Sequence, residues 1–375
     1  MKTTMLVALL CLAGTCFAQT YTYSTFVAFS NQSKGPVFPG NLIIDSQGNL
    51  YGTSELGGAH GMGTVFKVSP KGVVTTLHSF AGLPSDGFWP FGPPVRDSAG
   101  NLYGITEYGG MGCESDGCGT IFKVTPTGKE TLLYEFSNGT DGAFPVAGLA
   151  RDTAGNLFGV SYDNASDSII FKLTPQRVFS SLQTFAVDLH GDYLLIRNSA
   201  GDLFGNLYPW SMAPNGSVFE LTPQGQETTL YTFSGAADGG NPTGKLTQDA
   251  TGNLYGSAVS GGSANAGVAF KISTTGVYSV LYSFCQQPSC SDGSDPLGWI
   301  TLDSTGNLYG VTGSGGTTNN GVFYKITPSG IETVLYNFAS GQNPTNQETG
   351  LVMDKAGNFY GAIYGGSSIY KLTKN

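Results

Sequence analysis

Apolar residues in this chain fall in short runs bounded by Gly, Pro, Asp or Asn. β-Branched and aromatic residues fill these runs, as in Val65-Phe66-Lys67-Val68 and Thr131-Leu132-Leu133-Tyr134-Glu135-Phe136. Runs of that length and content predict strands, because branched and aromatic side chains pack well on a pleated, half-buried surface. Beyond the N-terminal segment, no stretch sustains the apolar spacing of an amphipathic helix. The pattern therefore predicts an all-β chain.

The runs recur in a fixed order. The string G-N-L-Y-G, or a near copy, begins at Gly48, Gly100, Gly155, Gly201, Gly252, Gly306 and Gly357. A period of roughly fifty residues marks a repeat architecture. Each repeat offers four strand-like pieces. The first ends in Asp (Leu351-Val352-Met353-Asp354) and the second is Asn-Leu-Tyr-Gly with about two further residues. The third resembles Ile121-Phe122-Lys123-Val124, and the fourth is Thr-x-Leu-Tyr-x-Phe. Asp-x-x-Gly-Asn joins the first two pieces and Thr-Pro-x-Gly the last two, both tight-turn sequences. The final repeat stops at its third piece, Ser368-Ile369-Tyr370-Lys371-Leu372. The missing fourth piece stands at the other end, where Ser24-Thr25-Phe26-Val27-Ala28-Phe29 matches Thr333-Val334-Leu335-Tyr336-Asn337-Phe338. The expected fold is a seven-bladed β-propeller with four antiparallel strands per blade, its ring closed by pairing of the N-terminal strand with the last blade.

Composition adds a compartment. Lys2, the apolar run Met5 to Ala13 and the small-residue ending Cys16-Phe17-Ala18 read as an export signal, residues 1–18, cleaved after Ala18. Residues 19–375 then form a single propeller domain. An exported location, extracellular or periplasmic, follows. The mature chain keeps Cys113, Cys118, Cys285 and Cys290, which allow three connectivities; proximity favours the two local C-x4-C loops, Cys113 with Cys118 and Cys285 with Cys290. A formal net charge of -9 argues against nucleic acid or an anionic membrane as partner, since both select clustered Lys and Arg.

The G-N-L-Y-G string, the pairs Gly57-Gly58, Gly109-Gly110, Gly261-Gly262, Gly315-Gly316 and Gly365-Gly366, and the Phe-Lys-x-Thr-Pro-x-Gly strand together resemble the Gloeo/Verruco (GloVer) tandem-repeat family of exported bacterial proteins. The resemblance spans nearly all of the mature chain. It implies export and brings no catalytic residues with it. Family members often carry a C-terminal anchoring segment; the last residues here read as a blade strand, so no such anchor is expected from them.

Repetition separates scaffolding from candidate chemistry. The hairpin Asp45, Asp97, Asp152, Asp249, Asp303 and Asp354 recur and read as turn caps. Asp86-Gly87, Asp141-Gly142, Asp238-Gly239 and Asp292-Gly293, each followed by a Pro, read as loop scaffolding with a shared ion site as the rival. Residues that break the repeat cluster in the second-to-third and inter-blade connections, which share one face. Trp89, Phe91, Tyr108, Tyr162, Tyr208, Trp210 and Tyr364 supply rings, and Glu55, His60, Glu107, Asp163 and His190 supply polar groups. Rings that stack on sugar faces beside groups that bond hydroxyls suit a glycan; packing beneath their own loops is the equal alternative. Trp89, Tyr108, Tyr162, Trp210, Tyr364 and His60 are the ligand-binding candidates. Glu55, Glu107 and Asp163 are weak catalytic candidates; a Glu55–Glu107 pair on neighbouring blades could serve glycosidic chemistry. Near the axis, Asn41, Pro93, Gly148, Leu194, Lys245, Trp299 and Gly350 share one matched position, too apolar for a central metal. The expectation is a monomeric binding module for an extracellular glycan or a surface protein, with no cofactor and no metal. An extracellular carbohydrate-active hydrolase or lyase is the alternative.

Overall fold

The computed structural model describes residues 20–29, 35–84, 86–113, 116–162, 167–185, 194–207, 215–342, 350–363 and 367–375. Seven four-stranded antiparallel sheets form the blades of a propeller. Blades 1 to 6 span residues 36–79, 87–135, 143–185, 196–232, 240–283 and 294–337. Blade 7 combines residues 352–374 with the N-terminal strand Tyr21–Ala28. First strands of neighbouring blades touch around the axis; the Asn41 side chain, for example, accepts the Gly350 N–H at 2.6 Å. The signal segment lies outside the described residues.

The ring closes as the sequence predicts. Thr25 pairs with Tyr370 and Val27 with Ile369, and the strand reaches further back than the matched hexapeptide, to Tyr21 opposite Lys374. Its one-residue bulge at Phe26 falls where the other blades bulge at Leu77, Leu133, Leu182, Leu230, Leu281 and Leu335. The displaced segment therefore reproduces a blade's fourth strand in its irregularity as well as its pairing.

The two glycines of G-N-L-Y-G serve different ends. Gly48 turns the hairpin at φ 81°, a conformation that costs L side chains energy. Gly52 makes room: a Cβ there would stand 2.6 Å from the Phe66 ring, and in every repeat a third-strand ring occupies that space. The hairpin Asp is a cap, as expected. Asp45 Oδ1 accepts the Gln47 and Asn49 N–H groups at 2.9 Å, while Oδ2 accepts the Asn49 amide at 3.0 Å and the Tyr51 hydroxyl at 3.0 Å. Blade 4 exchanges the pair, with Asn198 donating to Asp202 at 2.8 Å, and the partner ring becomes Phe204, which has no hydroxyl to place. Burial works against ionisation of the Asp303 cap, but bonds from Asn307, Thr305 and the turn backbone outweigh it and hold the carboxyl at about 2.

The core lies between blades. Each fourth strand ends in a Phe that meets the third-strand ring of the next blade. Phe29 meets Phe66 at 5.4 Å, Phe80 meets Phe122 at 5.0 Å and Phe136 meets Phe171 at 5.4 Å between centroids. The series continues with Phe185–Phe219, Phe233–Phe270, Phe284–Tyr324 and Phe338–Tyr370. Mostly edge-to-face contacts of this kind add about 0.5–1.5 kcal/mol each beyond area burial. Phe29 comes from the N-terminal strand, yet it fills the same place in the series.

Candidate functional site

First strands begin earlier than the sequence suggests. Blade 2 starts its first strand at Gly87 and pairs Phe88 with Tyr108, Pro90 with Thr106 and Phe91 with Ile105. Trp89 and Phe91 therefore sit in a strand, and Glu55, Glu107, Tyr108 and Tyr162 end second strands. Pro residues and register shifts hide these extensions, because they interrupt the alternation by which strands are recognised.

One position on the long-connection face repeats in backbone and varies in side chain. The residue before the strand-one Pro is left-handed in blades 1, 2, 3, 5 and 6: Phe38 (φ 55°), Trp89 (φ 54°), Phe144 (φ 48°), Asn241 (φ 58°) and Asp295 (φ 57°). Its N–H reaches back to the preceding blade, from Trp89 to the Met62 carbonyl at 3.1 Å and from Phe144 to the Cys118 carbonyl at 2.7 Å. Asn241 and Asp295 bond Asn215 and Ala266 in the same way, at 2.7 and 2.9 Å. Such backbone costs about 1–3 kcal/mol per residue. Because five blades share it, it is an inter-blade fastening, and the variable part is the side chain it presents. Three consecutive blades present rings and two present polar groups.

At the centre of the aromatic arc, Trp89 is 40% exposed. Its ring stands edge-on to Tyr108 at 5.4 Å; Tyr108 stacks on Phe88 at 5.3 Å and tilts against Phe144 at 5.5 Å. Tyr108 and Phe88 are half-buried among these rings, while Trp89 is exposed. Met62 and Leu83, both exposed, lie in the adjoining connections. Burial raises the Glu107 carboxyl above its usual range, partly offset by a hydrogen bond with Tyr108. Phe38, Phe88, Phe144 and Met62 were not among the sequence candidates. The D-G-x-x-P string could have pointed to Phe88 and Phe144, but a residue before Pro is ordinarily extended, which hides the left-handed geometry of Trp89 and Phe144.

The structure brings Trp89, Tyr108 and Glu107 together. Glu107 engages Tyr108 of its own strand, and Glu55 occupies the equivalent place in blade 1. His60 is exposed in the blade 1 connection, and Tyr162 ends the second strand of blade 3 opposite Ala143. Asp163, His190, Tyr208, Trp210 and Tyr364 lie outside the described residues. The Asp-Gly carboxylates are engaged within their loops. Asp141 accepts from Tyr134 (3.0 Å), Ser137 N–H (2.9 Å) and Gly139 N–H (3.1 Å); Asp292 accepts from Tyr282 (2.6 Å) and Gln286 N–H (2.8 Å). Asp86 takes the corresponding bond from His78 at 3.2 Å, so His78 replaces the Tyr of other blades. Among the described residues no group of three His, Cys, Asp or Glu side chains is placed to hold a metal ion. At the axis, Trp299 is half-buried, lies across Gly350 and receives the Lys245 ammonium 5.3 Å from its ring centre.

Both disulfides form as the local pairs, Cys113–Cys118 within a blade 2 connection and Cys285–Cys290 between blades 5 and 6. They fit a protein that matures outside a reducing cytoplasm, extracellular or periplasmic. No helix among the described residues is long and apolar enough to cross a membrane.

These features define a disulfide-bearing seven-bladed propeller that carries variable side chains on a fixed frame. The repeat profile of the Gloeobacter/Verrucomicrobia repeat matches residues 12–168 and 163–373, and the chain belongs to that family. No curated protein sequence matches it. Among solved structures it is similar to PorZ, a surface component of the type-IX secretion system of Porphyromonas gingivalis. The TM-score is 0.55 at 16% identity, covering 90% of this chain and 47% of that one, so this chain spans about half the length of PorZ. An oligogalacturonate lyase solved with manganese gives a TM-score of 0.59 at 12% identity, covering 96% of this chain and 98% of that one. Likeness at these identities is a likeness of fold.

Proposed function

We propose that this chain is an exported binding module whose long-connection rim, centred on Trp89, takes an extracellular carbohydrate. The observation that carries the reading is the exposed Trp89 ring, held on a left-handed backbone amid the aromatic arc of Phe38, Phe88, Tyr108 and Phe144. A rigid ring costs little entropy to present and offers a flat apolar face to a sugar, and the neighbouring Glu107 and Tyr108 can bond hydroxyls. Glycan-array and polysaccharide pull-down experiments on residues 19–375 test it. Binding should fall on Trp89→Ala, and binding that survives both Trp89→Ala and Tyr108→Ala overturns it. Capture of a surface protein in place of a glycan would reassign the same rim to a protein partner.

One observation favours a catalytic second reading. Glu107 is half-buried and burial raises its carboxyl, the direction in which a general acid is tuned. Turnover of a polysaccharide that is lost in Glu107→Gln would support an enzyme; turnover that persists there would remove Glu107 from the chemistry.

A further inference from the structure

The opposite face, built from short turns, carries crevices between neighbouring blades. Their walls repeat: the second-strand ring and third-strand residues of one blade, the end of the first strand and the third-to-fourth turn of the next. The crevice between blades 4 and 5 encloses about 370 Å³ and is lined by Glu220, Gln248 and Asp249. Between blades 7 and 1 a crevice of about 400 Å³ is lined by Asp45, Asp354 and a single cation, Lys355. The crevice between blades 2 and 3, about 260 Å³, reverses the sign. Lys123, Arg151 and Arg177 line it with Tyr103, Leu133 and Pro175, and no carboxylate does.

Two observations bear on these cations, the first shared with neighbouring boundaries, where Lys67 and Arg96 flank Tyr51 and Arg197 Nε is likewise buried without an acceptor, and the second particular to this crevice. None of them is neutralised by an ion pair: the only salt bridge among the described residues joins His78 to Asp86. Lys123 and Arg151 instead flank the Tyr103 ring, 5.6 and 5.2 Å from its centre, and Arg151 Nε is buried with no acceptor. Asp97, the carboxylate that Arg151 acts on, is engaged by Asn101 at 2.8 Å and Tyr103 at 3.0 Å. The second observation is the backbone of Arg177. In the described turns of the other blades this place is Gly, at Gly72, Gly128, Gly225, Gly276 and Gly330, because the turn needs a left-handed residue. Arg177 adopts φ 63° there despite its side chain. A strained residue that departs from its repeat, and whose departure adds a cation to an already cationic crevice, marks a functional position.

We propose that the crevice between blades 2 and 3 is an oxyanion site, binding sulfate, phosphate or carboxylate either as a free ion or as a group on an acidic saccharide. Two guanidinium forks and an ammonium supply charge-assisted donors, and the planar forks match the spacing of paired oxyanion oxygens. A volume of about 260 Å³ falls below that of a usual organic-ligand pocket, so it suits one charged group or one sugar ring rather than a longer chain. The site lies on the face away from Trp89 and stands independently of the carbohydrate rim.

Arg177→Gly is the discriminating variant, because it restores the residue the turn prefers and leaves the fold sound. Isothermal titration of residues 19–375, disulfides intact, with sodium sulfate, sodium phosphate and sodium glucuronate at matched ionic strength reads the free ions. A sulfated polysaccharide and its desulfated form read the saccharide source. Saturable binding of at least one anion is expected in the parent, with affinity falling about tenfold or more in Arg177→Gly, as befits loss of a charged hydrogen-bond donor. The variant's thermal midpoint should be equal or higher. Tighter binding of the sulfated polymer than of sulfate would identify a saccharide source, and equal binding a free ion. No saturable binding of any probe, or unchanged affinity in Arg177→Gly, overturns the proposal.

Discussion

Phe29 offers a direct measure of ring closure. It directly follows the N-terminal strand, which pairs with a strand over three hundred residues away to complete blade 7, yet it is 1% exposed and packs against Phe66, Leu42 and Leu50. Phe136, within blade 2, is 0% exposed and meets Phe171 at the same 5.4 Å centroid distance. Truncating a buried Phe to Ala costs about 3–5 kcal/mol through lost transfer energy and the cavity left behind. If the N-terminal strand is a full member of blade 7, Phe29→Ala and Phe136→Ala should destabilise alike. Scanning calorimetry on the oxidised chain should show both midpoints falling by roughly 5–10 °C, and urea midpoints should fall in step with no change of slope. A loosely attached strand would let Phe29→Ala pass almost unnoticed while Phe136→Ala still destabilised. That result would refute closure through Tyr21–Ala28. Equal losses also mean that the inter-blade ring contacts are interchangeable around the circle.

Other outcomes follow from the same packing. Gly159→Ala, which drives a Cβ into the Phe171 ring, should cost about 1–3 kcal/mol by denaturant titration, because a strained or shifted ring is the price of overpacking. Glu332 has a buried Oε1 with no hydrogen-bond partner, and burial followed by the Asp292 charge pushes its carboxyl up to about 8. Folding therefore favours its protonated form: the stabilisation is complete below the unfolded value near 4 and is lost as pH rises through about 8. Glu332→Gln should raise the thermal midpoint at pH 8–9 by an amount equivalent to ~1–3 kcal/mol, after discounting for solvent screening, and change little at pH 4. The hairpin caps act oppositely: with Asp303 held at about 2, their contribution is present above the unfolded value near 4 and fades as pH falls towards 2, which acid titration by circular dichroism should follow. Trp89→Ala should cost about 1 kcal/mol, well below Phe136→Ala, since the residue is 40% exposed and touches Tyr108 edge-on, and on the proposed reading it should abolish carbohydrate binding.

Much of the architecture can be read along the chain because it is local and repeated. A turn Asp bonds groups two to six residues away, and the first glycine of G-N-L-Y-G is needed by a hairpin of five residues. Closure was legible too, since a fourth strand absent at one end appears at the other. What repetition cannot convey is what lies across a blade boundary. The Phe that ends each fourth strand meets a ring of the next blade, and Trp89 is held by a backbone bond to Met62 of the preceding blade. The three cations between blades 2 and 3 sit in separate segments at Lys123, Arg151 and Arg177, each plausible alone as a solvated charge.

Sequence alone therefore determined the four strands of each blade apart from where the first begins, their turns, the number of blades and the pairing that closes them, because each rests on near-neighbour geometry copied around the ring. The tertiary structure decided which side chains share a surface. Radial packing joins residues tens of positions apart, and only there does an exposed ring stand out from buried ones, or do three cations from separate segments meet in one crevice.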